Sequence, residues 1–380
     1  MNGKYYKGYF FVIFLALSIL AIVSCNQSSN SKQIPVAEGL IDGGSTGRKT
    51  SESLYQIRTI ATIGIEEAQN EEEKPYQIAS IRNIDCDAEG NLYLVESKTH
   101  CVKVFDQNGK FLRKMFRMGR GPNEIYRPAF CKINKFSNTL FQTIDYGYHM
   151  KQFDFGGEFL RSIHLPEPIL MSYDFISKNQ LIYVSDCHYG ENTYYNFKVL
   201  NVDKNKIVFS FAAFMFSERS DSFNSFQRFA IKDGLLWTSP IHDIHLIAFD
   251  LSNGKRVKKL TVTDEVKKNR VISYTHKGLK YVPVVSYNYA QPLLLNGKLF
   301  VIWTEKDYNF KKNTNPHHAI NYPESWKLSL YRLVNDAKLE KVVDLKECDY
   351  MRMEATYKNR IILSGWEPYW HVKIIEMKPK

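Results

Sequence analysis

The sequence predicts an all-β fold, a six-bladed β-propeller, on three observations. A unit of short strands joined by turn residues recurs six times. Tyr and Phe number 24 each against 20 Gly and 13 Pro, a composition that suits pleated, half-buried strands. One further strand, Tyr55-Gln-Ile-Arg-Thr-Ile-Ala-Thr-Ile, stands ahead of the first unit without a partner of its own.

The first copy runs from Asn91-Leu-Tyr-Leu-Val-Glu through Cys101-Val-Lys-Val-Phe-Asp to Asn108-Gly-Lys-Phe-Leu-Arg. The second uses Asn138-Thr-Leu-Phe-Gln-Thr, Met150-Lys-Gln-Phe-Asp and Gly156-Gly-Glu-Phe-Leu-Arg. Four more follow, anchored on Leu181, Leu235, Leu299 and Ile361. From Leu92 and Leu140 onward the anchors are spaced by 48, 41, 54, 64 and 62 residues. Such periods suit four-stranded blades with loops of variable length. The Asn-Gly and Asp-Gly pairs, Asn108-Gly109, Asp233-Gly234, Asn253-Gly254 and Asn296-Gly297, supply the positive φ that tight hairpins need. The sixth copy ends with three strands. The unpaired strand at 55–63 is therefore expected to become the outer strand of the last blade and to close the ring, which removes open sheet edges.

Residues 1–24 have the three parts of an export signal: Lys4 and Lys7, an apolar run from Phe10 to Val23, then Ile22-Val23-Ser24 before Cys25. That run is too short to span a bilayer comfortably and right for a signal-peptide core. The residues before Cys25 resemble the lipobox of bacterial lipoproteins. This implies a lipid anchor on Cys25, held by about 0.8 kcal/mol per buried methylene. Residues 25–53 are rich in Ser, Asn, Gly and Thr, lack material for a core and are expected to form a flexible tether. The propeller is expected over 54–380, and the protein in the cell envelope, lipid-anchored on the periplasmic or surface side of the outer membrane. Acidic residues do not crowd the positions after Cys25, as they do in some surface-displayed lipoproteins.

The net charge is +11, or +9 without Lys4 and Lys7. For an exported chain this points to anionic glycans or the membrane surface, not to nucleic acid. After Cys25 five cysteines remain (Cys86, Cys101, Cys131, Cys187 and Cys348), with no CxxC. No disulfide framework is implied, and most are expected as small buried residues in strands.

With strands counted outward from the axis, the loops between second and third strands share one face with the linkers between blades. That face collects Tyr146, Tyr148 and His149 in the second copy, His188 and Tyr189 in the third and His242 in the fourth. It also holds Trp366, Tyr369 and Trp370 in the sixth, with Arg117, Arg120 and Arg127 on the first linker. Aromatic platforms with Arg suit sugars or anionic groups. Long loops also collect polar residues with no ligand in view, and their aromatics often cap barrel ends. The insertion from Lys306 to Ser325 is polar and basic and suits a lid or a partner contact as well as a plain surface excursion. No GxSxG elbow, HExxH or phosphate-binding Gly loop is present.

The segments Ile84-Asp-Cys-Asp-Ala-Glu-Gly-Asn-Leu-Tyr-Leu-Val-Glu and Val102-Lys-Val-Phe-Asp-Gln-Asn-Gly-Lys-Phe resemble an NHL repeat. Met118-Gly-Arg-Gly-Pro-Asn-Glu is similar to the Gly-Arg-Gly-Pro-Gly-Glu pattern of six-bladed propeller lipoproteins of Bacteroides-type bacteria. The resemblance spans roughly residues 54–378 and implies the fold more than a function. Related NHL-type propellers include a zinc lyase with axial His ligands. By that likeness His149, His188 and His242 would be the residues to converge on Zn²⁺. Asp145, Asp186, Asp243 and Glu367 are loop carboxylates suited either to acid–base work or to plain turns. The leading expectation is a monomeric binding or scaffolding module for a glycan, peptide or envelope protein, without cofactor, metal or catalytic residues. The competing one is a propeller lyase or glycan-active hydrolase with its site at the axial mouth.

Overall fold

Fully buried and alternating strands are sorted by depth in the blade. In blade one, Asn83–Cys86, Leu92–Glu96 and Cys101–Phe105 are buried throughout, whereas Phe111–Met115 alternates. The first three are sandwiched between neighbouring blades; the fourth faces solvent on one side. A computed structural model describes residues 39–41, 55–144, 147–169, 172–189, 192–215, 229–239, 245–261, 270–271, 274–276, 279–281, 284–307, 325–334, 338–345, 348, 351–366 and 368–380. All of them lie in one unit, Val36–Lys380.

Five blades take four antiparallel strands each from continuous chain. After blade one come Cys131–Asn134 to Phe159–His164, Tyr173–Ser177 to Lys206–Met215, Phe229–Lys232 to Arg256–Thr261, and Val284–Leu295 to Lys338–Asp344. Blade six has Arg352–Tyr357, Arg360–Gly365 and His371–Pro379, and beyond them Tyr55–Ile63, antiparallel to the last strand with Ile57 opposite Met377 and Ile63 opposite Val372. Gly39–Ile41, within the stretch expected to be a tether, pairs with the outer edge of Tyr55–Ile63. Arg270–Val271 adds to blade five, and Tyr274–His276 with Leu279–Tyr281 forms a separate hairpin. Neither has a counterpart in the repeat pattern.

The core is a ring of layers, one at each blade interface. Tyr93, Val95 and Val104 of blade one meet Cys131, Ile133 and Phe153 of blade two. The seam has the same construction. Ile63, from the N-terminal strand, packs with Ile84 of blade one and Ile374 of blade six, while Ile57 packs with Leu293 and Ile302 of blade five. Each fully buried Ile or Phe contributes about 1.5–3 kcal/mol.

Two devices fix the connections. Asp233 and Gly234 have φ of +52° and +74°, and Asn296 and Gly297 +48° and +70°, so both hairpins are of type I′. In blades one to three, a third-strand lysine pins the linker leading into that blade. Lys103 Nζ reaches Gln77 O at 2.8 Å, Lys151 Nζ reaches Gly121 O at 2.6 Å and Glu124 O at 2.7 Å, and Lys198 Nζ reaches Glu167 Oε2 at 2.5 Å. Blade four has buried Ile247 in the equivalent place. Cys86, Cys101, Cys131 and Cys348 are buried; burial, then the nearby Asp85 charge, pushes the Cys86 thiol up to about 12.

Candidate functional site

Each inner strand begins on the face of the inter-blade linkers, so its first residues and its next inward-facing positions surround the axis. The six inner strands enclose an axial cavity of about 660 Å³, lined from strand starts such as Arg82 and Arg352 to far-end turns such as Ala88, Asn296 and Lys358, within the range of small-molecule sites. Its lining divides by blade. Among the described residues every charged group comes from blades six, one, two and three: chiefly Arg82, Asp85, Lys132, Asp174, Arg352 and Glu354. Blades four and five present Phe229, Ala230, Ile231, Pro292, Leu293 and Leu294.

The charged arc is cross-linked between blades. Asn83 Oδ1 accepts from Cys131 N at 2.7 Å, and Asp85 Oδ2 from Ile133 N at 2.9 Å. Lys132 Nζ lies between Asp85 Oδ1 at 3.7 Å and Asp174 Oδ2 at 3.8 Å, so one ammonium joins blades one, two and three. Arg352 joins blade six to blade one by donating from Nη2 to Ile81 O and Arg82 O, both at 3.2 Å. Its Nε donates to Glu354, whose Oε1 also accepts from Ser364 Oγ at 2.6 Å. The carboxylates Asp85 and Glu354 are thus engaged in holding strands together, while Asp174 is half exposed. Arg82 sits at the lip, its guanidinium 5.6 Å from the Phe130 ring. The protein around the guanidinium partly strips it of water, and this, then the Arg352 charge, lowers its pKa.

The residues singled out in the sequence are dispersed over the loop face. Arg120 and Arg127 do converge, their guanidinium carbons 5.1 and 4.9 Å from the ring centroid of Tyr126. His100 stacks on that ring at 5.9 Å and accepts from Arg127 N at 3.2 Å. Arg117 is tied to Glu124 at 2.9 Å, and Gly121 N donates to the same carboxylate at 2.9 Å. That N–H, first among several causes, holds the Glu124 carboxyl below its usual range. A Cβ on Gly119 would lie 2.0 Å from Glu124 Oε2, so the Gly-Arg-Gly-Pro-Asn-Glu stretch is a folded linker that its own glutamate fills.

Trp366 packs against the blade five–six layer and Trp370 against the blade six–one layer, ring centroids 6.3 Å apart. They cap the ends of the core. Tyr369 lies against His371, with ring centroids 5.9 Å apart, and Tyr148 is 48% exposed. His188 and Tyr189 do not belong to a loop. They are in the strand Gln180–Tyr189, opposite Thr193 and Asn192, because the blade-three hairpin extends almost to its turn. Asp186 is in the same strand. His149 begins a third strand and faces His164 on the outermost one, away from the axis, so the axial three-histidine arrangement is not formed. Cys25, Tyr146 and His242 lie outside the described residues, as do Asp145, Asp243, Glu367 and most of the 306–325 insertion.

The cavity residues were missed because they occupy ordinary strand positions. The one available signal was a charged residue at or next to the start of four of the six inner strands: Arg82, Lys132, Asp174 and Arg352.

The chain is a six-bladed β-propeller. A family model described as a 6-bladed beta-propeller, DUF5128, matches residues 71–246. The fold is similar to that of a DUF4221 family member from Bacteroides vulgatus, with a TM-score of 0.54, 10% identity, and 87% of this chain and 100% of that one covered. It is also similar to a Bacteroides fragilis protein described as exported, with a TM-score of 0.52, 11% identity, and 87% and 96% covered. No curated protein matches the chain in sequence.

Proposed function

We propose that this chain is a binding module of the cell envelope, tethered by lipid on Cys25, that takes a small anionic glycan fragment in its axial cavity. The two-sided lining is the observation that carries this reading. Arg82, at the cavity lip, offers a planar guanidinium to a carboxylate or sulfate, and Phe229 and Leu294 offer an apolar surface to the face of a sugar ring. The engaged state of Asp85 and Glu354 favours binding over acid–base chemistry that would use a pair of carboxyls available to the substrate. Envelope location draws support from the charged, then apolar, then Cys-ended pattern of residues 1–25 and from the likeness to a protein described as exported.

Calorimetric titration with uronic-acid oligosaccharides and their neutral counterparts tests the reading. The acidic series should bind, more weakly as salt rises, and the neutral series should not. Equal binding of both series, or binding indifferent to salt, would overturn the anionic part. Preference for a peptide or an envelope protein would replace the ligand class. Cys25→Ala should move the protein from the membrane to the soluble fraction; retention in the membrane would refute the anchor.

A further inference from the structure

The cavity does not involve the histidines at the edge of blade two. His149 and His164 are cross-strand partners on the third and outermost strands. Their Nδ1 atoms are 3.4 Å apart and their ring centroids 4.7 Å apart. As a hydrogen bond this contact is poor, being longer than the usual 2.7–3.2 Å for nitrogen donors. Zinc–imidazole bonds of about 2.0–2.1 Å at a tetrahedral angle place two ligand nitrogens roughly 3.3–3.4 Å apart. The observed nitrogen separation matches that of two imidazoles sharing one tetrahedral ion, and a small turn of the rings would aim both lone pairs at it. Both rings reach solvent: His149 is half-buried and His164 exposed.

We infer that His149 and His164 form a two-histidine site for a divalent transition ion, Zn²⁺ foremost, joining the two outer strands of blade two. Water or a donor from outside the chain fills the remaining positions, since no group of three or more His, Cys, Asp or Glu side chains suited to a metal occurs among the described residues. Imidazole ligands select zinc, copper or nickel over calcium and magnesium. The backbone is set for the pair in advance. The His149–His164 ladder closes the sheet, and Asn205 Nδ2 donates to His164 O at 2.6 Å. Binding then acts as a clip that stabilises the folded state by mass action.

The test is calorimetric titration of the purified full chain with Zn²⁺ alone, and then with Mg²⁺. The wild type should take up one Zn²⁺ at this site and ignore Mg²⁺. His149→Gln and His164→Gln should each weaken that binding by more than about tenfold, or about 1.4 kcal/mol. Excess Zn²⁺ should raise the melting temperature of the wild type and not of the double variant. Circular dichroism shows that the variants fold, and His164→Gln, at an exposed position, serves if His149→Gln does not. Absence of heat up to about 1 mM Zn²⁺, or wild-type affinity in folded variants, would overturn the proposal.

Discussion

The two walls of the axial cavity come from one repeated blade design and are held in opposite ways. Blades six, one, two and three are joined at the axis by Arg352, Asp85, Lys132 and Asp174, which bond across blade boundaries. Blades four and five meet the same space with Phe229, Leu293 and Leu294, whose stability rests on packing. The repeat therefore fixes the ring while leaving inner-strand side chains free to differ. Charge on one arc and hydrocarbon on the other make the cavity two-sided, which is a property no single blade has.

Both walls depend on the ring's being complete. The largest expected effect is from deleting residues 55–63, which exposes Ile57 and Ile63 together with the layers they complete. The loss should rival a domain's whole stability, about 5–15 kcal/mol, and urea unfolding should show no cooperative transition. Retained cooperativity would mean that the seam does not carry the ring.

Next, matched substitutions separate the walls. Lys132→Met removes the shared partner of two carboxylates, one of them largely buried, and should cost about 3 kcal/mol. Leu293→Met, on the apolar wall, conserves volume and should cost less than about 1.5 kcal/mol. Equal costs in urea denaturation would erase the distinction between polar and apolar walls.

The smallest effect lies outside both walls, at His371 in blade six. Burial lowers the His371 pKa from 6.5, offset in part by its hydrogen bond to Tyr369 O. A depressed folded pKa means that the folded state binds fewer protons than the unfolded one. The stabilisation is full above about pH 6.5, the unfolded value, and is lost as pH falls through the lower folded value. Melting temperature followed across that window should decline in the wild type, and His371→Gln should reduce the decline.

Much of this fold was legible because its information is local. Leu92-Tyr-Leu-Val and Leu140-Phe carry β-propensity, and Asp233-Gly and Asn296-Gly mark their own turns. The N-terminal strand was legible for the same reason, as an apolar segment without local partners. The cavity was not legible, because its contacts join distant chain. Asp85 meets Ile133 N and Arg352 meets Ile81 O only after the blades are assembled. The loop-face residues were chosen by chemical type, and type does not report direction. Trp366 and Trp370 turn into the core layers, while Tyr126, which gathers Arg120 and Arg127, looked like an ordinary linker residue. His188 was misplaced because polar residues near a hairpin tip read as loop although the ladder runs through them.

The most direct test of the central claim separates the cavity from the loop face. Affinity for a uronic-acid oligosaccharide is measured by calorimetry for the wild type, for Arg82→Ala at the cavity lip and for the Arg120→Ala/Arg127→Ala pair on the first linker. Binding in the axial cavity predicts a loss of more than about tenfold for Arg82→Ala and a change within about twofold for the linker pair. The opposite pattern, with Arg82→Ala binding as tightly as the wild type, would contradict it.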